Sequence, residues 1–492
     1  MLIGGGSWWA GRGAASAVGL VVLLFAPGLA RADTLEMALV QAYLNNPTLN
    51  SQRASVRVTD ENVPQALSGY RPKISVTATG GQQSVSSITR TPSPLGQFPI
   101  PGTCPVPGLE NNCPAVYDKQ SGYGGVANYG ATITQTIFNG FQTANRTRQA
   151  ESQVQSARAT LRVTEQTVLL NAATAYMNLL RDTAVLDLQR RNVEVLQEQL
   201  RQTRDRFNVG EVTRTDVAQS ESRLAAGRSQ VLTAEATYKA SVATYRQVIG
   251  VNPGTLSAGT PVDRFSPHEL PAAVTLATTT HPSIATAQYN VDAALEAVKV
   301  AEGALMPTVS VTGNYLENYG AVGSLSTIKS YQATVLGTVS IPVYQGGAEY
   351  SAVRQAKETL GQRRLDLDVA RDQARQTTVQ AWGQLEAAKA NVDATQAQVQ
   401  AAEIALNGVR EEARVGQRTT LDVLNAQQEL VNARVALVGA QRDRVVASYT
   451  LLAAVGRLAP EVLGLRVPTY QPQVHYQQVR DNWVGLRIPD GR

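Results

Sequence analysis

The strongest constraint on this chain is that it repeats itself. Arg71-Pro72-Lys73-Ile74-Ser75-Val76-Thr77 aligns with Met306-Pro307-Thr308-Val309-Ser310-Val311-Thr312, and Pro72 and Pro307 stand 235 residues apart, as do Pro47 and Pro282. Further on the offset falls to 206 and stays there. Phe138-Asn139-Gly140 matches Tyr344-Gln345-Gly346, Val209-Gly210 matches Val415-Gly416, Thr213 matches Thr419, Asp216 matches Asp422 and Gly250 matches Gly456. A fixed offset over more than a hundred residues, with no net insertion, describes a rigid element of set length in a duplicated architecture. The 29-residue difference falls between Gly80 and Phe138, where Pro92, Pro94, Pro99, Pro101, Pro105 and Pro107 gather. It reads as an enlarged loop at 90–118, present in the first repeat alone.

Each repeat changes texture along its length. After each shared proline, apolar and polar residues alternate strictly: Ile74, Val76 and Ala78 against Ser75, Thr77 and Thr79. Tyr129, Ala131, Ile133 and Ile137 alternate with Thr132, Thr134 and Thr136. The second copy has Val309, Val311 and Tyr315, then Ala333, Val335, Val339, Ile341 and Val343. Period 2 predicts strands with one apolar and one polar face, at about 71–90, 120–138, 306–317 and 330–344. From Phe141 to Asn208 there is neither proline nor glycine, in a stretch rich in Ala, Gln, Leu, Arg and Glu. That predicts a helix roughly 100 Å long at about 1.5 Å per residue. Shorter helical runs end near Gly250 and span Thr34 to Tyr70 with a break at Pro47. Each is about half the long helix, so two laid end to end would match it.

Four strands cannot close a barrel, and open strand edges are not tolerated in lipid. Bacterial barrels have an even number of strands, eight or more. Two copies would give eight strands with a filled interior; three would give twelve and room for a channel.

The first 32 residues read as a secretory signal peptide rather than structure. Arg12 precedes a weakly apolar run containing Val21-Val22-Leu23-Leu24-Phe25, and Ala30-Arg31-Ala32 supplies a small-x-small cleavage pattern. The competing reading, a membrane anchor, needs roughly 20 apolar residues. Charged residues make up 17% of the chain and the net charge is +5, without the basic cluster of a nucleic-acid surface. Cys104 and Cys113 lie close together in the Pro/Gly-rich loop. In an exported protein they read as a local disulfide; two free thiols and a two-ligand metal site are the alternatives. His268, His281 and His475 are scattered, with no phosphate-binding glycine loop and no nucleophile paired with a base, so neither an enzyme nor a metal or cofactor protein is indicated.

Arg206-Phe207-Asn208-Val209-Gly210 with Thr213-Arg214-Thr215-Asp216-Val217, and Arg414-Val415-Gly416-Gln417-Arg418-Thr419-Thr420-Leu421-Asp422-Val423-Leu424, resemble the helical-tip signature of TolC-like outer membrane efflux proteins. The likeness runs from Thr34 to about Leu458. It implies a mixed all-α plus membrane β fold: a homotrimer whose 12-stranded outer-membrane β-barrel, set in outer-membrane lipid, continues into a periplasmic α-helical barrel. On this plan residues 33–250 and 273–456 are the two repeats, 251–272 an equatorial linker and 457–492 an extended tail that is docked or disordered. The resemblance also implies a passive conduit that works with a periplasmic adaptor protein and an inner-membrane transporter. It places Asp422 in a carboxylate ring at the constriction and has Arg418 hold the entrance shut through the region of Thr215 and Asp216. Val209, Gly210, Val415 and Gly416 would meet the adaptor. Two departures stand out: Asn425 where well-known members carry a second acidic ring, and Ala413 in place of a tyrosine that adds a closing link. The residues alone allow a plainer reading, since Thr213-x-x-Asp216 and Thr419-x-x-Asp422 fit capping boxes and the glycines suffice to end helices. A periplasmic adaptor is the rival function, but it would carry one hairpin rather than two.

Overall fold

A computed structural model of the chain describes residues 33–91, 116–320 and 328–489. The leader at 1–32, Cys104, Cys113 and most of the enlarged loop lie outside the described residues. The first repeat consists of α1 (Leu35–Asn45), α2 (Pro47–Asp60), α3 (Asn62–Leu67), β1 (Lys73–Thr91), β2 (Val116–Asn139), α4 (Gln142–Asn208) and α5 (Arg214–Ile249). The second has α6 (Leu270–Thr280), α7 (Pro282–Gly303), β3 (Thr308–Gly320), β4 (Ile328–Ser340), α8 (Ala348–Arg414) and α9 (Thr420–Ala454). Two short helices follow, α10 (Pro460–Leu463) and α11 (Pro472–Val479).

The prolines 235 residues apart mark one local device used twice. Pro47 occupies the first turn of α2, where its missing N–H costs nothing, and Asn46 caps that turn, its Oδ1 accepting from the N–H of Thr48 at 2.9 Å and of Leu49 at 3.2 Å. At Pro282 the same work falls to His281, whose Nδ1 accepts from the Ser283 N–H at 3.2 Å. The long helices α4 and α8 have 67 residues each, and α5 and α9 have 36 and 35. Helix α4 packs along α5 and α9 towards its C-terminal end and along α2 and α7 towards its start. The half-length helices therefore do line the long one in succession.

The strands form one antiparallel sheet in the order β1-β2-β3-β4. Its register aligns the sequence alternation into rows. Ile74, Ile133, Gly313 and Val335 lie across from one another, as do Val76, Ala131, Tyr315 and Ala333. The next row on the opposite face is Ser75, Thr132, Asn314 and Thr334, with Thr132 Oγ1 donating to Asn314 Oδ1 at 2.9 Å. Further along the apolar face, Tyr129 and Tyr319 meet edge to face at 6.1 Å and Lys329 pairs with Glu317. Among the described residues β1 and β4 each keep one edge without a strand partner. No helix among the described residues is long and apolar enough to cross a membrane.

Two boundaries are corrected. The fourth strand ends at Ser340, not at 344, because Pro342 has no N–H to continue the ladder. The tail at 457–492 is not simply extended: α10 and α11 are helical, and the tail is docked on the body. Pro472 starts α11 and places His475 and Val479 one turn apart, both buried.

The largest core lies at mid-length, where α1, α2, α4, α5, α9 and the residues after α9 converge. Leu39, Leu49, Leu169, Tyr176, Leu179, Tyr245, Ile249, Leu452 and Leu458 are at most 1% exposed there. Burying each leucine contributes about 1.5–3 kcal/mol. The buried Tyr176 hydroxyl donates to the main-chain carbonyls of Asp33 and Ser257, each at 2.7 Å. It thereby pins the residues before α1 to the linker.

Candidate functional site at the helical tips

Both hairpins turn by the same backbone solution. Gly210 and Gly416 adopt φ of +80° and +81°, the left-handed conformation that closes a helix most cheaply with glycine. The N–H of Glu211 bonds the Arg206 carbonyl at 2.9 Å and that of Gly210 the Phe207 carbonyl at 2.9 Å. Gln417 to Glu412, at 2.9 Å, and Gly416 to Ala413, at 3.3 Å, repeat the pattern. Both are Schellman closures, which satisfy otherwise orphaned carbonyls. Val209 and Val415, beside these glycines, are 78% and 71% exposed at the very ends of the hairpins.

The returning helices begin with complete capping boxes. Asp216 Oδ2 accepts from the Thr213 N–H at 2.9 Å, while Thr213 Oγ1 accepts from the Asp216 N–H at 3.3 Å. For Asp422 and Thr419 the distances are 3.0 and 3.2 Å. Hydrogen bonds from the Thr419 backbone and hydroxyl, with Arg418 nearby, hold the Asp422 carboxyl below its ordinary range. Thr215 is exposed in the first turn of α5.

The charged groups around this scaffold differ between the tips. Arg418 Nε meets Glu412 Oε2 at 2.8 Å, inside its own hairpin, rather than Thr215 or Asp216. At the first tip Arg206 meets Glu211 at 3.2 Å. The C-terminal stretches of α4 and α8 flank a cleft of about 1220 Å³, whose walls include Asp216, Arg206, Glu211, Arg410, Arg414 and Arg418. Arg418 and Asp216 thus line one space without touching; Asp422 and Asn425 are not among its walls.

Contacts that sequence reasoning missed join the two hairpins. Asn425 Oδ1 accepts from Arg223 Nη2 at 2.7 Å, linking α9 to α5. Leu424 is buried with Leu196, Leu200 and Leu224, so the residues flanking this bond fix α9 against the first hairpin. Arg223 lies 202 residues from Asn425, and no local pattern connects them. Another pair did leave a signal: Arg204 to Glu221 at 2.5 Å and Arg410 to Gln427 at 3.0 Å share a spacing of 17 residues in both repeats. Among the described residues no group of histidine, cysteine or carboxylate side chains is gathered to hold a metal.

Two long hairpins, a duplicated order of elements and an open amphipathic sheet are the features that comparison with known proteins can test. The sequence model of the outer membrane efflux protein family matches residues 38–251 and 273–457. The chain belongs to the outer membrane efflux protein family. It is 41% identical to the outer membrane efflux protein BepC of Brucella suis biovar 1 (strain 1330), over 94% of each chain. It is 26% identical to the outer membrane protein TolC of Escherichia coli (strain K12), over 87% of this chain and 83% of that protein. The crystal structure of the Campylobacter jejuni CmeC outer membrane channel superposes with a TM-score of 0.67 at 18% identity, covering 86% of this chain and 85% of that one. This likeness shows the fold. As an outer membrane efflux protein, the chain sets its sheet in the outer membrane and extends its helices into the periplasm.

Proposed function

We propose that the chain is the exit channel of a tripartite efflux or type I secretion system: a passive conduit from periplasm to exterior, opened when an adaptor and an inner-membrane pump dock. One observation carries this reading. A four-stranded sheet with one apolar face and, among the described residues, two unpaired edges stands on helices about 100 Å long. Such edges cannot be left in lipid. Three copies, β4 of each beside β1 of the next, give a closed twelve-stranded barrel wide enough for a channel. Because the meander has four strands, β1 and β4 run in opposite directions, as antiparallel closure requires.

The six hairpin tips of such a trimer form its periplasmic entrance. Asp422, ionised and rigidly capped, supplies a carboxylate ring there. Arg418 holds the entrance closed by exchanging Glu412 for the Thr215–Asp216 region of an adjacent hairpin. Asn425 contributes no second acidic ring; its bond to Arg223 puts a cation close to that level instead, which weakens binding of divalent cations. The exposed Val209, Gly210, Val415 and Gly416 present the smooth apolar surface on which an adaptor docks.

Single-channel recording in planar bilayers tests the reading. Small cation-selective currents, with selectivity reduced by Asp422→Ala, are expected. A folded, membrane-inserted oligomer that conducts nothing would contradict it.

A further inference from the structure

The tail after α9 climbs the outside of the molecule towards the barrel. The Tyr470 N–H donates to the hydroxyl of Tyr43 at 3.3 Å, and that hydroxyl donates in turn to Glu165 of α4 at 3.1 Å. Next, Tyr476 lies under the guanidinium of Arg158, 5.1 Å from its ring centroid. Arg480 then reaches Glu151 at 3.7 Å. The contacts on α4 thus step from residue 165 to 158 to 151, seven residues at a time, or about 10 Å per step at the helical rise. They head for the start of α4, where the barrel strands end.

The climb is anchored midway. His475 Nδ1 and Asp60 Oδ2 are 2.9 Å apart, both groups buried, and Val479 is buried one turn further on. If the tail left this site, it would break that pair and expose Val479, whose burial contributes about 1.5–3 kcal/mol. It is a fixed strap and not a loose end.

At the top, Arg71 Nη1 donates to the Asn482 carbonyl at 2.7 Å and its guanidinium covers the Trp483 ring at 4.7 Å. Arg71 is two residues before Lys73, where β1 begins, so Trp483 is held at the base of the barrel. The chain then presents Trp483, Val484, Leu486 and Ile488, which are 68%, 93%, 101% and 78% exposed. Four such side chains in six residues form an apolar stretch of the kind that marks a membrane or protein contact. Aromatic residues at this level belong to the belt where a barrel meets the lipid headgroups, and Tyr70 and Phe141 stand exposed at the same strand–helix junctions. Arg71, Lys73 and Arg487 supply positive charge beside them.

We propose that the C-terminal strap is a membrane anchor: Trp483, Val484, Leu486 and Ile488 insert into the periplasmic leaflet of the outer membrane, beside the barrel. Arg71 is a positioning residue, fixing the indole at headgroup depth, and the Asp60–His475 pair sets the point from which the segment rises. The lipid continues the surface that the apolar strand face already occupies, so this inference rests on the outer-membrane barrel reading.

Tryptophan fluorescence in proteoliposomes tests both layers separately. In the chain from Asp33 onward, which leaves out Trp8 and Trp9 of the leader, and carrying Trp382→Phe, Trp483 is to be measured in vesicles of ordinary and of dibrominated phosphatidylcholine. A reference protein carries Trp382→Phe, Trp483→Phe and Tyr315→Trp, an aromatic exchange on the apolar strand face. The proposal expects Trp483 emission to be blue-shifted and mostly lost in brominated lipid. Water-like Trp483 emission that brominated lipid leaves unchanged, with the reference quenched, would overturn the anchor and leave the barrel standing. If neither tryptophan is quenched, the barrel reading fails and the anchor fails with it.

Discussion

The two junctions where strand gives way to long helix are equivalent by sequence and opposite in environment. At the first, Gly140 has φ of +63° and lies so close to Gly303 that a Cβ on it would sit 2.2 Å from the Gly303 carbonyl oxygen. At the second, Gly346 has φ of +73°, and a Cβ there would meet nothing within 4 Å. Strand pairing explains the contrast. Because β2 pairs with β3, the residues following β2 cross those preceding β3; β4 has no such neighbour among the described residues. The repeat offset places Ser68, just before β1, in the position of Gly303. In the proposed trimer, Gly346 would receive the Ser68–Gly69 turn of a second copy.

The long helices show the same asymmetry. Ser156 of α4 bonds Asn290 of α7 at 2.8 Å, and Ala159 one turn on is buried. Their counterparts on α8 are Gln362, which is exposed, and Leu365, which is 67% exposed, with Val369 equally exposed a turn further. In the proposed trimer, the second repeat would pack on the first repeat of the next chain as the first packs on the second inside one chain.

The largest predicted effect breaks this comparison at its closed end. Gly140→Val loads a side chain onto a left-handed residue and into backbone, at a cost of roughly 3 kcal/mol or more; resistance of the folded chain to urea should collapse. Gly346→Val carries the left-handed strain alone, about 1–3 kcal/mol, with no clash among the described residues of the chain; it should lower urea resistance less than Gly140→Val does, and also lower the yield of assembled oligomer in native gels. Next in size, Leu365→Glu places a charge on the open face of α8. Dissociation by detergent or heat should become markedly easier, while circular dichroism of the separated chain stays helical.

A smaller effect sharpens the comparison where the repeats agree. Thr213→Ala and Thr419→Ala remove the same cap from two tips, and each should destabilise its hairpin by about 1 kcal/mol. Hydrogen exchange at residues 214–218 and 420–424 should rise alike in the two variants. Smallest is the response to pH. The Asp422 carboxyl is held below its ordinary range by Thr419 and Arg418. Its capping contribution is complete above the unfolded value of about 3.9 and is lost only as pH falls through the lower folded value. Cation selectivity measured between pH 7 and 5 should therefore stay flat.

The sequence shows clearly whatever is periodic or locally capped. Gly210, Gly416 and the Thr-x-x-Asp boxes lie in the turns their residue types predict, and the alternation from Ile74 to Val339 becomes an apolar sheet face. Short or distant features escape. Helix α11 has too few residues to display a period, and only Pro472 marks its start; in the fold it buries His475 against Asp60 and Val479 one turn on. The Arg223–Asn425 bond joins residues with no common local pattern, because it depends on how two hairpins settle against each other. Arg418 was expected to reach the Thr215–Asp216 region; within one chain the nearer Glu412 holds it.

The central claim is that the open edges of this chain are closed by two further copies of itself. Native mass spectrometry of the purified protein, released from nanodiscs, tests it most directly. A species of three chains is expected, lost to single chains when Leu365→Glu is introduced on the exposed face of α8. A stable single chain, or a wild-type assembly of any other number, would contradict it.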